Sequence, residues 1–124
     1  IEGMQEKELA ELIGQKIIDK KGFNVVRMDL EGHSSIADFF IVASANSERQ
    51  VEAISEYVCR ELKDAGHRPQ SVEGIKEGKW ALIDTGDVIV HVFLEYLRDF
   101  YDLEGLWSHV PKVRFEEEPV VSNA

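Results

Sequence analysis

One cysteine, Cys59, is all the thiol chemistry that the 124 residues contain. No disulfide can close within the chain, and a lone thiol inside a helical pattern fits a reducing, cytoplasmic setting. No apolar run approaches the ~20 residues needed to span a bilayer, and no signal-peptide pattern opens the sequence. Basic residues are scarce: 14 Lys and Arg stand against 24 Asp and Glu, a net charge of −10. Affinity for a nucleic-acid backbone comes from neutralising phosphates and needs the opposite sign. Direct nucleic-acid readout is therefore disfavoured as the main contact. A basic protein partner is favoured, since opposite charge steers encounter. Acidity also serves plain solubility, so charge alone decides nothing. His33, His67, His91 and His109 are never three or four positions apart, which leaves no zinc pattern. Gly74, Gly78 and Gly86 do not form a phosphate-cradling loop ahead of a helix, so no nucleotide cofactor is implied.

What is present reads as one domain. A chain of this size buries roughly 65–70% of its unfolded surface and supports a single core without staples. Ile1-Glu2-Gly3 ahead of Met4 reads as a non-native scar, residues 4–112 as the domain, and residues 113–124 as an acidic, disordered tail around Glu116-Glu117-Glu118-Pro119. Leu9, Leu12, Ile13 and Ile17 form a helical stripe that Gly22 ends. Val26, Met28 and Leu30 alternate as a half-buried strand, whereas Phe39 to Ala43 is apolar on both faces and suits a central one. Ser47 and Gln50 are spaced as a capping box, and the helix they open carries Val51, Ile54, Val58 and Leu62 up to Gly66. A short strand is expected near Ser71-Val72. A hairpin then runs from Trp80 to Phe93 around Asp84-Thr85-Gly86-Asp87, followed by broken helical turns from Leu94 to Leu106. The order predicts an α/β domain in which helices pack on a mixed sheet of about five strands.

Two constellations bear on function. Gly32-His33-Ser34-Ser35 followed by Asp38-Phe39-Phe40 looks like the start of a nucleotidyltransferase site. A two-metal site there needs carboxylates at alternate strand positions, which share a face. Phe40 occupies the second position, so the topology is expected without the activity, and Asp38 is expected to cap its loop by accepting N–H groups. The second constellation is a binding face. Trp80, Leu82 and Asp84 point one way along their strand, Ala81 and Ile83 the other. The residues leave Trp80 open between core and interface anchor. His91, between Val90 and Val92, reads as a satisfied core histidine.

The hairpin, together with Asp38-Phe39-Phe40, Ser47-Glu-Arg49-Gln50-Val51-Glu-Ala53-Ile54, Gly78-Lys-Trp80, Val90-His91-Val92-Phe93, Arg98 and Phe100-Tyr101-Asp102-Leu103-Glu104, resembles the ribosomal silencing factor family, the Iojap-related proteins. The resemblance runs from the first helix to about Lys112 and implies no catalysis. It implies a small cytoplasmic protein, a homodimer when free, that represses translation. Such a factor binds the large ribosomal subunit through the basic ribosomal protein numbered fourteen, blocks joining of the small subunit, and is linked to large-subunit biogenesis. With that partner the expected contact set is Trp80 as anchor with Leu82 beside it. Glu73, Asp84 and Asp87 would form an acidic rim, and Tyr101 and Asp102 would extend the face.

Overall fold

The computed structural model describes residues 5–115. The elements run α1 (Glu6–Asp19), β1 (Phe23–Asp29), β2 (Phe39–Ala45), α2 (Glu48–Asp64), β3 (Ser71–Glu73), β4 (Trp80–Asp84), β5 (Val88–Leu94), α3 (Glu95–Tyr101), α4 (Leu103–Leu106) and β6 (Lys112–Arg114). Six strands form one open sheet in the order β3-β4-β5-β2-β1-β6. The β2–β5 pair is parallel and the other four pairs are antiparallel. The mixed α/β sheet is as expected, with one strand more than the sequence promised.

That strand, β6, starts at the last residue assigned to the domain and runs into the segment assigned to the tail. Met28 pairs with Lys112 and Val26 with Arg114. Phe115 is buried, its backbone N–H bonds the Val25 carbonyl, and its ring fills the space that a side chain at Gly14 would need. The domain therefore continues three residues past the boundary drawn at Lys112. A three-residue strand with two charged residues is hard to read, because no apolar alternation marks it. Glu116-Glu117-Glu118-Pro119 and Ile1-Glu2-Gly3 lie outside the described residues.

Strand alternation divides the apolar residues between two cores. Val25, Phe39, Ile41, Ala43, Ala81, Ile83, Val88, Val90 and Val92 meet Leu9, Ile13 and Ile17 of α1 and Val51, Ile54, Val58 and Leu62 of α2. On the opposite face, Val26, Met28, Phe40, Val42, Ile89 and Phe93 meet Leu97, Leu103, Trp107 and Val110. β1 was expected to be half-exposed, yet Val25 to Met28 are all buried. Arg27 turns under α1, donating to Glu11 and Asp29 with its guanidinium over the Phe39 ring. The paired carboxylates are what let a charge face that core.

Helix ends follow local chemistry with two departures. Ser47 accepts the Gln50 N–H as a cap should, but the Gln50 side chain bonds the Asn46 N–H and the Lys21 carbonyl, so only half the box forms. Near Gly22 the left-handed residue is Lys21, at φ 71°. Gly22 is needed for another reason: a Cβ there would lie 2.4 Å from the Ile17 side chain.

Truncating Phe115 removes a buried ring, so Phe115→Ala should lower the unfolding free energy by about 3 kcal/mol. Urea denaturation followed by circular dichroism measures it, and an unchanged midpoint would place Phe115 outside the core.

Candidate functional site

Strand register determines which side chains share the face opposite α1 and α2. Glu73, Leu82, His91, Val42, Val26 and Arg114 stand in one row across the whole sheet. Ser71, Asp84, Ile89, Phe40, Met28 and Lys112 form the next row. Trp80, Phe93 and Ser44 form a third. This face is acidic at its β3–β4 edge, aromatic in the middle and basic at β6.

Helices α3 and α4 close part of it. Asp102 breaks them apart by taking a left-handed conformation, φ 48°, and its carboxylate accepts the Gly105 N–H to cap α4. Arg98 is buried at the joint. Its guanidinium donates to both Glu104 oxygens at 3.1 and 2.8 Å, to Ser44 Oγ at 2.9 Å and to the Asn24 carbonyl. One side chain thus ties α3 to α4, β1 and β2. The Arg98 bonds hold the Glu104 carboxyl below its ordinary pKa, against the opposing pull of desolvation.

Beyond the clamp, the β4 end of the face stays partly open. Trp80 is half-buried; its indole stacks on Phe93 at 4.9 Å and packs against Tyr101 at 4.7 Å between ring centroids. Tyr101 is 49% exposed, and its neighbour Phe100, in edge contact with it, is 75% exposed. Leu82 is half-buried beside Glu73, which is exposed. Trp80 is thus packed into the aromatic face and keeps part of its surface exposed.

The expected site residues do not all converge. Trp80, Leu82, Glu73 and Tyr101 share one region. Asp102 adjoins Tyr101 and is exposed, with a structural task of its own at the helix break. Asp84 lies at the far end of β4, about 13 Å along the strand from Trp80, where its carboxylate accepts the Gly86 N–H at 2.7 Å. Asp87 lies in the hairpin turn near Asp38 and Glu6; desolvation and those two carboxylates raise its pKa. Sequence reading missed Phe93, Phe100 and His91 as parts of the aromatic face. The signal for the strand residues was present: Phe93 and His91 sit two apart, on the same side of their strand.

His91 lies in the core as expected, but only one of its two ring nitrogens is satisfied. It is 4% exposed and its Nδ1 accepts the Trp80 Nε1–H at 3.1 Å. An accepting Nδ1 leaves the ring proton on Nε2. That nitrogen is buried and has no hydrogen-bond partner among the described residues, a defect that costs about 1–3 kcal/mol. Burial pushes the imidazole pKa from 6.5 down to about 4. The ring is therefore neutral at physiological pH.

The nucleotidyltransferase comparison ends at Phe40. Its ring is buried against His91 at 4.7 Å and Trp107 at 6.1 Å, where a metal site would need a carboxylate. Asp38 ties its loop through its backbone, with its N–H bonding the Asp87 carbonyl and its carbonyl accepting the Leu30 N–H. Among the described residues no three His, Cys, Asp or Glu side chains gather as metal ligands, and no helix is long and apolar enough to cross a membrane.

The family described as ribosomal silencing factor during starvation matches residues 4–124. The chain belongs to that family. A ribosomal silencing factor from Halalkalibacterium halodurans is 41% identical over 113 residues, covering 91% of this chain and 97% of that one. A crystal structure of a Chromobacterium violaceum protein superposes with a TM-score of 0.82 at 35% identity, covering 98% of this chain and 96% of that one. More distantly, a mouse protein named for mitochondrial assembly of the ribosomal large subunit is 30% identical over 74 residues, covering 57% of this chain and 32% of that one.

Two outcomes follow from the site chemistry. Arg98→Met leaves Glu104 without its partner and should cost about 3 kcal/mol in urea unfolding; a loss below about 1 kcal/mol would mean the clamp adds little. As pH falls below 6.5, the unfolded chain takes up a proton at His91 that the folded chain refuses until about pH 4. Stability from this group is thus full above 6.5 and is lost on acidification, by about 1 kcal/mol between about pH 7.5 and about pH 5.5. The His91→Asn variant should lack that component, and an identical pH slope in both proteins would contradict it.

Proposed function

We propose that this protein represses translation by occupying the large ribosomal subunit. It docks on the basic ribosomal protein numbered fourteen, on the intersubunit face, and its bulk prevents the small subunit from joining. Association with late large-subunit assembly follows from the same docking. The protein acts in the cytoplasm, is a homodimer when free, and catalyses no reaction.

The observation that carries this reading is the aromatic end of the sheet, where the exposed Tyr101 and Phe100 adjoin the partly buried Trp80 and the exposed Glu73 pairs with Leu82 across the strands. Large aromatic rings lose little rotamer freedom on binding and recur as the energetic centres of protein interfaces. A net charge of −10 favours encounter with a basic ribosomal protein over naked RNA. Family membership supports the choice of the ribosome. Inhibition by occupancy requires a surface and a volume, and no reactive group.

Co-sedimentation with isolated subunits on sucrose gradients, then a subunit-joining assay, tests the proposal. Wild-type protein should travel with the large subunit alone and reduce joined particles. Trp80→Ala should fold, since the indole is half-buried, but bind at least tenfold more weakly, in line with the ~2 kcal/mol of an anchor residue. Wild-type-like binding by Trp80→Ala would move the interface elsewhere. Raising salt should slow association, and a salt-independent rate would remove charge steering from the account.

A further inference from the structure

The indole of Trp80 has one polar group, and the fold uses it. Nε1–H points inward to His91 Nδ1 at 3.1 Å, not outward to solvent or a partner. Trp80 pairs across the strands with Phe93, so His91 stands diagonal to it on the same face. Rotating the indole about its side-chain axis would carry Nε1–H away from Nδ1 and break this bond, so the hydrogen bond opposes that rotation.

An apolar residue would suit position 91 better on packing grounds. Its neighbours in the row are Leu82 and Val42, and the Phe40 ring lies 4.7 Å away. The histidine instead leaves Nε2 buried and unbonded among the described residues. A residue that is unfavourable by this measure needs a compensating role, and the interaction visible for its polar atoms is the one with Trp80.

We propose that His91 is a positioning residue for partner binding: its Nδ1 holds the Trp80 indole in the single orientation that docks on the partner. This rests on Trp80 being the anchor. Because the indole N–H is already committed, the anchor offers its partner ring surface and no donor. The face then favours an apolar or flat cationic side chain over a lone hydrogen-bond acceptor.

The experiment compares His91→Phe with His91→Asn in the full chain. Phenylalanine fills the ring's space and removes the acceptor. Asparagine places Oδ1 as many bonds from the backbone as Nδ1, so it restores the acceptor without the ring. In nitrogen–proton correlation spectra, the Trp80 indole resonance should shift and exchange faster with water in His91→Phe, and return toward its original position in His91→Asn. Affinity for the large subunit should fall about tenfold in His91→Phe, the factor that one hydrogen bond supplies in choosing an orientation. In His91→Asn it should recover most of that loss.

If His91→Phe binds like the wild type while Trp80→Ala does not, the anchor stands and the positioning role is wrong. If Trp80→Ala binds like the wild type, the anchor reading itself fails and this inference falls with it. Should His91→Phe not fold, benzothienylalanine at position 80 makes the same test, because sulfur replaces the N–H in a ring of nearly the same shape. It should weaken binding about tenfold, and unchanged affinity would overturn the proposal.

Discussion

The parallel pairing of β2 with β5 is the constraint on which the rest of the molecule depends. Seven residues of each strand run in unbroken register, from Phe39 opposite Val88 to Ala45 opposite Leu94. Parallel neighbours cannot be joined by a tight turn, so the chain between them must cross over. The crossover supplies α2, β3 and β4, and β4 returns as the hairpin partner of β5. The same register assigns each side chain to a face. Val88, Val90 and Val92 go to the helical core, while Ile89, His91 and Phe93 go to the aromatic one. A slip by one residue would exchange the two sets and place an imidazole among leucines and isoleucines.

The faces are covered differently. Two long helices close one side, with Phe115 completing the packing against α1. Short, broken helices cover only part of the other, held by the buried guanidinium of Arg98. The cover leaves Trp80 partly exposed at the β4 end. On the proposed reading the partner docks here, where the cover stops and the Trp80 indole is held by its ring contacts and by His91.

The acidic rim read from the chain proves to be several separate arrangements. Glu73 accompanies the aromatic end, Asp102 terminates a helix, and Asp84 and Asp87 shape the hairpin turn at the other end of β4. Carboxylates close in sequence have different tasks because a strand of five residues carries its two ends apart. Charge steering acts over the whole surface and does not require them to cluster.

Much of the architecture was legible because it rests on local rules. Period-two and helical periodicities, the Ser47 cap, the Gly66 stop and the Asp84–Asp87 turn each depend on residues within a few positions of one another. What escaped was non-local. β6 is too short and too charged to show alternation, and it exists because β1 offers it an edge. Arg27 reads as a solvent residue and is buried because Glu11 and Asp29 meet it. His91 read as an ordinary core histidine, and no spacing revealed that its acceptor faces an indole eleven residues away. By itself the sequence determined the kinds and order of the elements ahead of β6, and the family. Only the tertiary structure decided which of them meet, because cross-strand register and burial arise from contacts between segments far apart in the chain.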